Sequence, residues 1–383
     1  MTDDIPSNPA LLPAGLRDIL PPEAETEASA VEALMEAFAA HGYQRVKPPL
    51  MEYEDSLLAG TGAAVAEQTF RLMDPDTHRM VGLRADMTPQ IARIAATRLG
   101  HAARPLRLSY AGQCLRVRGN QLAPDRQLAQ AGIELIGHDS PEADAEVVLV
   151  AAEALAAVGL TQVSFDLTMP SFVQMLLDEA ALPAAAARSL SRALDRKDAA
   201  AVAEHGGKLA VVLNLLLNAA GPAFGALQAL ASAQLTPGGR ALAGRLADAV
   251  SAIEAKSPTL KLTVDPVEFR GFRYHTGVCS TVYAPGRHEE LGRGGRYVCG
   301  EGEPATGLTL YPDAVLRAAP RRKAKQRVYV PIGTAPSSAV ALRRQGYATV
   351  AALESAADDR AAAREMKCGF LMAADRLVAL ALE

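Results

Sequence analysis

Apolar residues along the chain change period several times, and each change marks an element. Val31, Leu34, Met35 and Phe38 recur at the spacing of one helix face after the lead Gly15 to Pro22, and Gly42 ends that helix. Gln44 to Leu50 reads as extended, and Pro48 and Pro49, which lack amide donors, assign it to a sheet edge or an interface. Phe70 to Met73 and a strand ending at Leu83-Arg84 flank a turn at Asp74 to Thr77. Asp86-Met87-Thr88-Pro89 then opens a helix carrying Ile91, Ile94 and Leu99. Leu106, Leu108 and Tyr110 alternate as a strand does, and Gln127 to Gly137 forms its hairpin mate beyond a polar loop at Asn120 to Asp125. Ser140-Pro141-Glu142 supplies a cap, a first-turn proline and an early acid for a helix running to Gly159.

A strand at Val163 to Leu167 precedes a long Ala- and Leu-rich tract, Pro170 to about Lys256, with helical spacing throughout. Leu260 to Val264 returns to strand. After a basic connector at Arg321 to Arg327, strands near Val328 to Ile332, Tyr347 to Ala351 and Cys368 to Met372 outline a small βαβ module. The expected division is a core in two parts, 1–169 and 258–320, a helical insertion at 170–257 and a C-terminal α/β module at 326–383. Strands in order with helices between them make the core α+β.

Composition narrows the function classes. The 383 residues are 49% apolar and 21% charged, ordinary for a folded soluble protein, and the net charge of −4 exerts no general pull on nucleic acid. That argues against tRNA as a partner. Cys114, Cys279, Cys299 and Cys368 form no CxxC or CxxH pair, so reduced thiols in a cytoplasmic protein are expected, without a zinc or other metal site. No Walker loop and no GxGxxG after a strand is present, and no cofactor is expected. No run of about 18 apolar residues exists to span a membrane, and the N-terminus lacks a signal-peptide pattern.

The chemistry concentrates in Val267 to Tyr297, where Arg270-Gly271-Phe272-Arg273-Tyr274-His275-Thr276-Gly277 is followed by Gly294-Gly295-Arg296-Tyr297. Glycines admit close backbone approach to a ligand, and an arginine fork matches a carboxylate or phosphate. A small polar ligand is one reading, and a hairpin with glycine turns and surface arginines is the other.

Seven segments in order carry a resemblance. Gly15 to Pro22, Gly42-Tyr43 with Pro49 and Glu52, Gly60-Thr61-Gly62, Leu83 to Thr88, the Arg107-to-Gly137 hairpin, Arg270 to Gly277 and Gly294 to Tyr297 together resemble the catalytic core of histidyl-tRNA synthetases over residues 10–318. The resemblance implies a class II aminoacyl-tRNA synthetase-like antiparallel sheet of six or seven strands flanked by helices, and a homodimer formed near Pro49. It also implies a histidine pocket. Asp86 and Thr88 match groups that hold the amino group, Gln130 and Arg116 match groups at the backbone end, and Arg270 matches the arginine of the histidine-specific motif. Glu134, Tyr274 and Tyr297 match groups near the ring, where His275 replaces a second tyrosine.

The nucleotide half departs from the pattern. Arg118 stands where the second motif has the glutamate for the adenine amino group, Ala314 where the third motif has its arginine, and Pro124 where a basic loop residue meets phosphates. Losing one preorganised donor costs about 10²–10³ in rate, so these changes imply lost synthetase activity. A synthetase core of this kind is similar to the regulatory-subunit family of ATP phosphoribosyltransferase. That family implies a non-catalytic chain, partnered with a short-form catalytic subunit in a hetero-octamer and responsive to L-histidine as feedback effector in the first step of histidine biosynthesis. The alternatives are a divergent histidyl-tRNA synthetase, or an RNA binder using the basic connector.

Overall fold

The computed structural model describes residues 11–119, 124–269, 274–320, 324–374 and 376–381. They fall into two compact units, Met1–Pro320 and Arg321–Glu383. The first unit is organised by a nine-stranded sheet among the described residues. Six consecutive neighbours are antiparallel: Leu106–Leu115, Gln127–Ile136, Glu303–Leu310, Glu290–Cys299, His275–Tyr283 and Ser164–Thr168. Gln44–Arg45 extends one edge in parallel, as the prolines after it foreshadow. Lys261–Val264 runs parallel to Ser164–Thr168, and the two-residue strand Gly221–Pro222 closes the far edge.

The six antiparallel neighbours are the expected sheet, and short strands added at its two edges, two of them parallel to their neighbours, bring it to nine. The reason lies in the connection: the chain leaves Ser164–Thr168, passes through the helices Pro170–Glu179 to Pro237–Lys256 and returns at the starting end. Only a long crossover allows a parallel partner. Those helices bury Leu190, Leu194, Leu213, Leu216 and Leu246 in the same continuous core as the sheet.

Local signals account for the covering helices. The helix Glu23–Ala40 buries Leu34, Met35 and Phe38, and Gly42 follows it with φ +81°. Helix Pro141–Ala157 starts at Ser140, whose side chain accepts from the Ala143 amide. These helices and Pro237–Lys256 cover one sheet face. The other face packs on the helix Thr88–Thr97 through Met87, Ile91 and Ala95 against Leu106, Leu108, Tyr110 and Tyr297. Alternation along Gln127–Ile136 sends Ala131, Ile133 and Leu135 to the first core and Gln130 and Glu134 to the second face. A separate three-stranded sheet places Met80–Leu83 between Met51–Tyr53 and Phe70–Met73. No helix among the described residues is long and apolar enough to cross a membrane.

The second unit has three parallel strands, Ala348–Ala351, Arg327–Val330 and Phe370–Ala373, in that spatial order. A fourth strand, Arg376–Ala379, pairs antiparallel with the last and extends the expected βαβ module. The helices Pro336–Arg344 and Asp359–Glu365 contribute Leu342 and Ala363 to separate small cores.

Candidate functional site

Glu134 sits at the centre of the second sheet face with 1% of its surface exposed. A carboxyl so placed needs partners, and it takes them from hydroxyls on three other elements. Thr88 Oγ1, at the start of its helix, lies 3.2 Å from Oε1, and Tyr110 OH on the neighbouring strand donates to the same oxygen at 3.1 Å. Tyr297 OH donates to Oε2 at 3.0 Å. Thr309 Oγ1, 2.7 Å from Tyr110 OH, extends the network to a fifth element. Burial pushes the Glu134 carboxyl up to about 8, with the hydroxyl bonds opposing the rise. The carboxyl is therefore mostly neutral at pH 7. Gly307 makes room for it, since a Cβ there would stand 1.7 Å from Oε2.

Gln130, also buried, commits its amide oxygen to the Met87 N–H at 2.9 Å and the Cys114 thiol at 3.3 Å. It thus anchors the Asp86-Met87-Thr88 turn. Asp86 is half-buried and accepts from the Thr88 amide at 3.3 Å. Arg116 Nε reaches the carbonyl of Ala85, the residue before Asp86, at 3.4 Å. An acid, a cation and the Glu134 hydroxyl cage therefore share one corner of the sheet.

Aromatic contacts bring in two further residues. Tyr274 meets Tyr297 edge-on with centroids 5.8 Å apart, and stacks on His275 at 4.3 Å. Burial, reinforced by Arg293, lowers the His275 imidazole to about 3, so it stays neutral through the physiological range. Of the nine residues expected at the site, Asp86, Thr88, Arg116, Gln130, Glu134, Tyr274 and Tyr297 gather here, with His275 behind Tyr274. Arg270, with Gly271 to Arg273, lies outside the described residues.

Arg296 does grip a carboxylate, but it is the protein's own: its Nη2 lies 2.8 Å from Asp144 Oδ1, its Nε 3.3 Å from Oδ2, and it also donates to the carbonyls of His138 and Ser140. The guanidinium fastens its strand to the N-terminus of the helix Pro141–Ala157. Nor does Gly294 open onto a ligand, for a Cβ there would stand 2.0 Å from the Gly307 carbonyl oxygen on the adjacent strand. Residue alternation explains both, because Arg296 and Tyr297 must leave the strand on opposite faces.

Of the positions compared with nucleotide-binding motifs, Arg118 is exposed and Ala314 is buried in the helix Pro312–Ala318. Arg317, the next cation on that helix, pairs with Glu289. The neighbouring cleft is lined by Gly15, Arg17, Gln113, Asp125, Gln127 and Asp313. Its arginine is engaged by both oxygens of Glu23, at 3.0 and 2.6 Å. Two carboxylates thus line a cleft whose cation already has a partner.

Residues 15–315 match the family model for histidyl-tRNA synthetase. The ATP phosphoribosyltransferase regulatory subunit of Paramagnetospirillum magneticum is 54% identical over 97% of this chain and 98% of its own length. That of Gluconobacter oxydans is 55% identical over 94% of each. The chain belongs to the family of ATP phosphoribosyltransferase regulatory subunits. A solved structure from Bacillus halodurans, described as an ATP phosphoribosyltransferase regulatory subunit/histidyl-tRNA synthetase, superposes with a TM-score of 0.79 at 26% identity, covering 92% of this chain and 95% of its own. Histidyl-tRNA synthetase from Nostoc sp. PCC 7120, at 17% identity and a TM-score of 0.76 over 94% and 90%, shares the fold.

For this regulatory-subunit family member, sequence reasoning missed Tyr110, Thr309 and Gly307 as parts of the cage. Tyr110 reads from its alternation as an ordinary core residue. Its functional signal is the hairpin register, which pairs it with Gly132 and so carries its ring across a glycine toward Glu134. Thr309 and Gly307 arrive from a strand more than 170 residues away and leave no local sign.

Proposed function

We propose that this chain is the non-catalytic regulatory partner of a short-form ATP phosphoribosyltransferase catalytic subunit, and that it holds L-histidine at the Glu134 corner as the feedback effector. The relatives' names supply the partner. The observation that carries the effector reading is the buried carboxyl of Glu134, ringed by hydroxyls and set beside Asp86 and Arg116. Asp86 and Thr88 suit an ammonium, Arg116 and Arg270 a carboxylate, and Glu134 with Tyr297 and Tyr274 the ring nitrogens. A neutral Glu134 and a neutral imidazole can share one proton, with Glu134 donating or accepting according to the ring nitrogen it meets.

The opposite half supports loss of aminoacyl-adenylate chemistry. A triphosphate brought into the cleft beside Asp125 and Asp313 would face like charge, with Arg17 and Arg317 already paired. Homodimerisation through the region after Pro49 is supported by exposed apolar side chains on and beside the three-stranded sheet: Leu50, Met51, Tyr53, Leu72, Met73 and Met80. Two such dimers with catalytic subunits would give the hetero-octamer, and buried free thiols suit a reducing cytoplasm.

Histidine binding transmits only if the two states of the assembly bind it unequally, with couplings of about 1–3 kcal/mol being usual. The test is co-purification with a short-form catalytic subunit, followed by transferase assays with and without histidine. Failure to associate, or activity indifferent to histidine, refutes the reading. A divergent histidyl-tRNA synthetase is the competing reading, favoured by the family-model match, and histidine-dependent pyrophosphate–ATP exchange by the purified chain would establish it instead.

A further inference from the structure

Lys197 occupies the turn between the helices Ala184–Asp195 and Ala199–His205 with φ +54°, a conformation that suits glycine and disfavours a residue with a Cβ. Its side chain leaves the helical insertion and reaches the segment after strand Lys261–Val264. Nζ lies 2.7 Å from Asp265 Oδ2 and 3.8 Å from Glu268 Oε2. Asp166, half-buried beside them and bonded to Thr263, has its carboxyl pushed up by burial and by those two neighbours, so Lys197 stands among three acids.

That segment is also pinned from the sheet. The Asp265 amide donates to the Leu167 carbonyl at 3.0 Å, and the Thr168 hydroxyl donates to the Glu268 carbonyl at 2.6 Å. Asp265 Oδ1 accepts from the Val267 amide at 3.1 Å. In sequence, residues 265–269 lead directly into Arg270 and onward to Tyr274, which contacts Tyr297 of the cage. The sheet-side bonds set the backbone of this segment, and the Lys197 pair joins it to a different part of the fold.

We infer that Lys197 is a positioning residue, which clamps the helical insertion to residues 265–269, the stretch that in sequence leads to Arg270 and Tyr274. This rests on the reading of the Glu134 corner as a histidine site. The positive φ at Lys197 belongs to the end of its helix, where the Lys197 amide donates to the Leu194 carbonyl at 3.0 Å and the Asp198 amide to the Ala193 carbonyl at 2.9 Å, and the turn it makes carries the amine toward Asp265.

The conformation provides a test that separates positioning from bulk stability, because glycine relieves the backbone while removing the amine. In full-length protein assembled with its catalytic subunit, Lys197→Gly should keep or raise the melting temperature. It should also speed hydrogen exchange at residues 265–269 and weaken histidine binding about fivefold by calorimetry, the scale of a single partly exposed ion pair. Lys197→Arg should retain wild-type affinity, and the swap Lys197→Asp with Asp265→Lys should restore much of what either change loses. Wild-type exchange and affinity in Lys197→Gly would overturn the inference, as would a lowered melting temperature with exchange raised evenly across the unit. If the wild-type assembly binds no histidine, the effector reading falls instead. Exchange at residues 265–269 then decides the clamp, and unchanged exchange in Lys197→Gly overturns it.

Discussion

Replacing Glu134 with Gln tests the central electrostatic claim without changing the shape of the site. Burial moves the carboxyl from the ordinary glutamate value of 4.5 to about 8. Between those values the native state holds a proton that the unfolded chain has released, so stability must fall as pH rises. The full effect is present below pH 4.5 in the form of a neutral acid in both states, and the loss accumulates until the native group itself ionises near pH 8. At about 1.4 kcal/mol per pH unit, the loss between pH 5 and pH 7.5 is about 3 kcal/mol. Glutamine cannot ionise and lacks this slope. Urea unfolding of both proteins at half-unit steps should show the variant gaining on wild type by that amount over the interval. Any constant offset reflects how well the amide fits the hydroxyls of Thr88, Tyr110 and Tyr297. Parallel pH profiles would refute the argument, because they would mean that Glu134 is already ionised in the folded protein.

Other outcomes follow from single contacts. Arg296→Met leaves Asp144 buried without its guanidinium and should cost about 3–5 kcal/mol in unfolding free energy, most of it recovered when Asp144→Leu is added. Gly307→Ala drives a methyl into Glu134 and should cost about 1–3 kcal/mol while abolishing histidine binding by calorimetry. Met73→Asp, on a residue 60% exposed at the edge of the three-stranded sheet beside Met80, should shift sedimentation from dimer to monomer with little change in the far-ultraviolet circular dichroism. The His275 ring resonances should not titrate between pH 5 and pH 8, since that imidazole ionises only near 3.

Much of the fold is written in signals a few residues long. The Ser140 cap and Pro141 start a helix wherever they fall, Gly42 ends one, and the alternation of Leu106, Leu108 and Tyr110 makes a strand that buries one side. Such features act over one turn or one pleat, so reading them requires no knowledge of neighbours. The members of the Glu134 cage are legible in part, since Thr88, Glu134 and Tyr297 each lie in a short stretch that carries the resemblance. What the tertiary structure alone decided is which stretches meet. Strand order set Thr309 against Tyr110, sent Arg296 to Asp144 instead of a ligand, and made Lys261–Val264 a parallel neighbour of Ser164–Thr168. It likewise joined Lys197 to Asp265 across 68 residues. Those choices depend on burying one large sheet between helices that the chain supplies far apart, and on the low dielectric there, which turns an ordinary glutamate into a neutral acid.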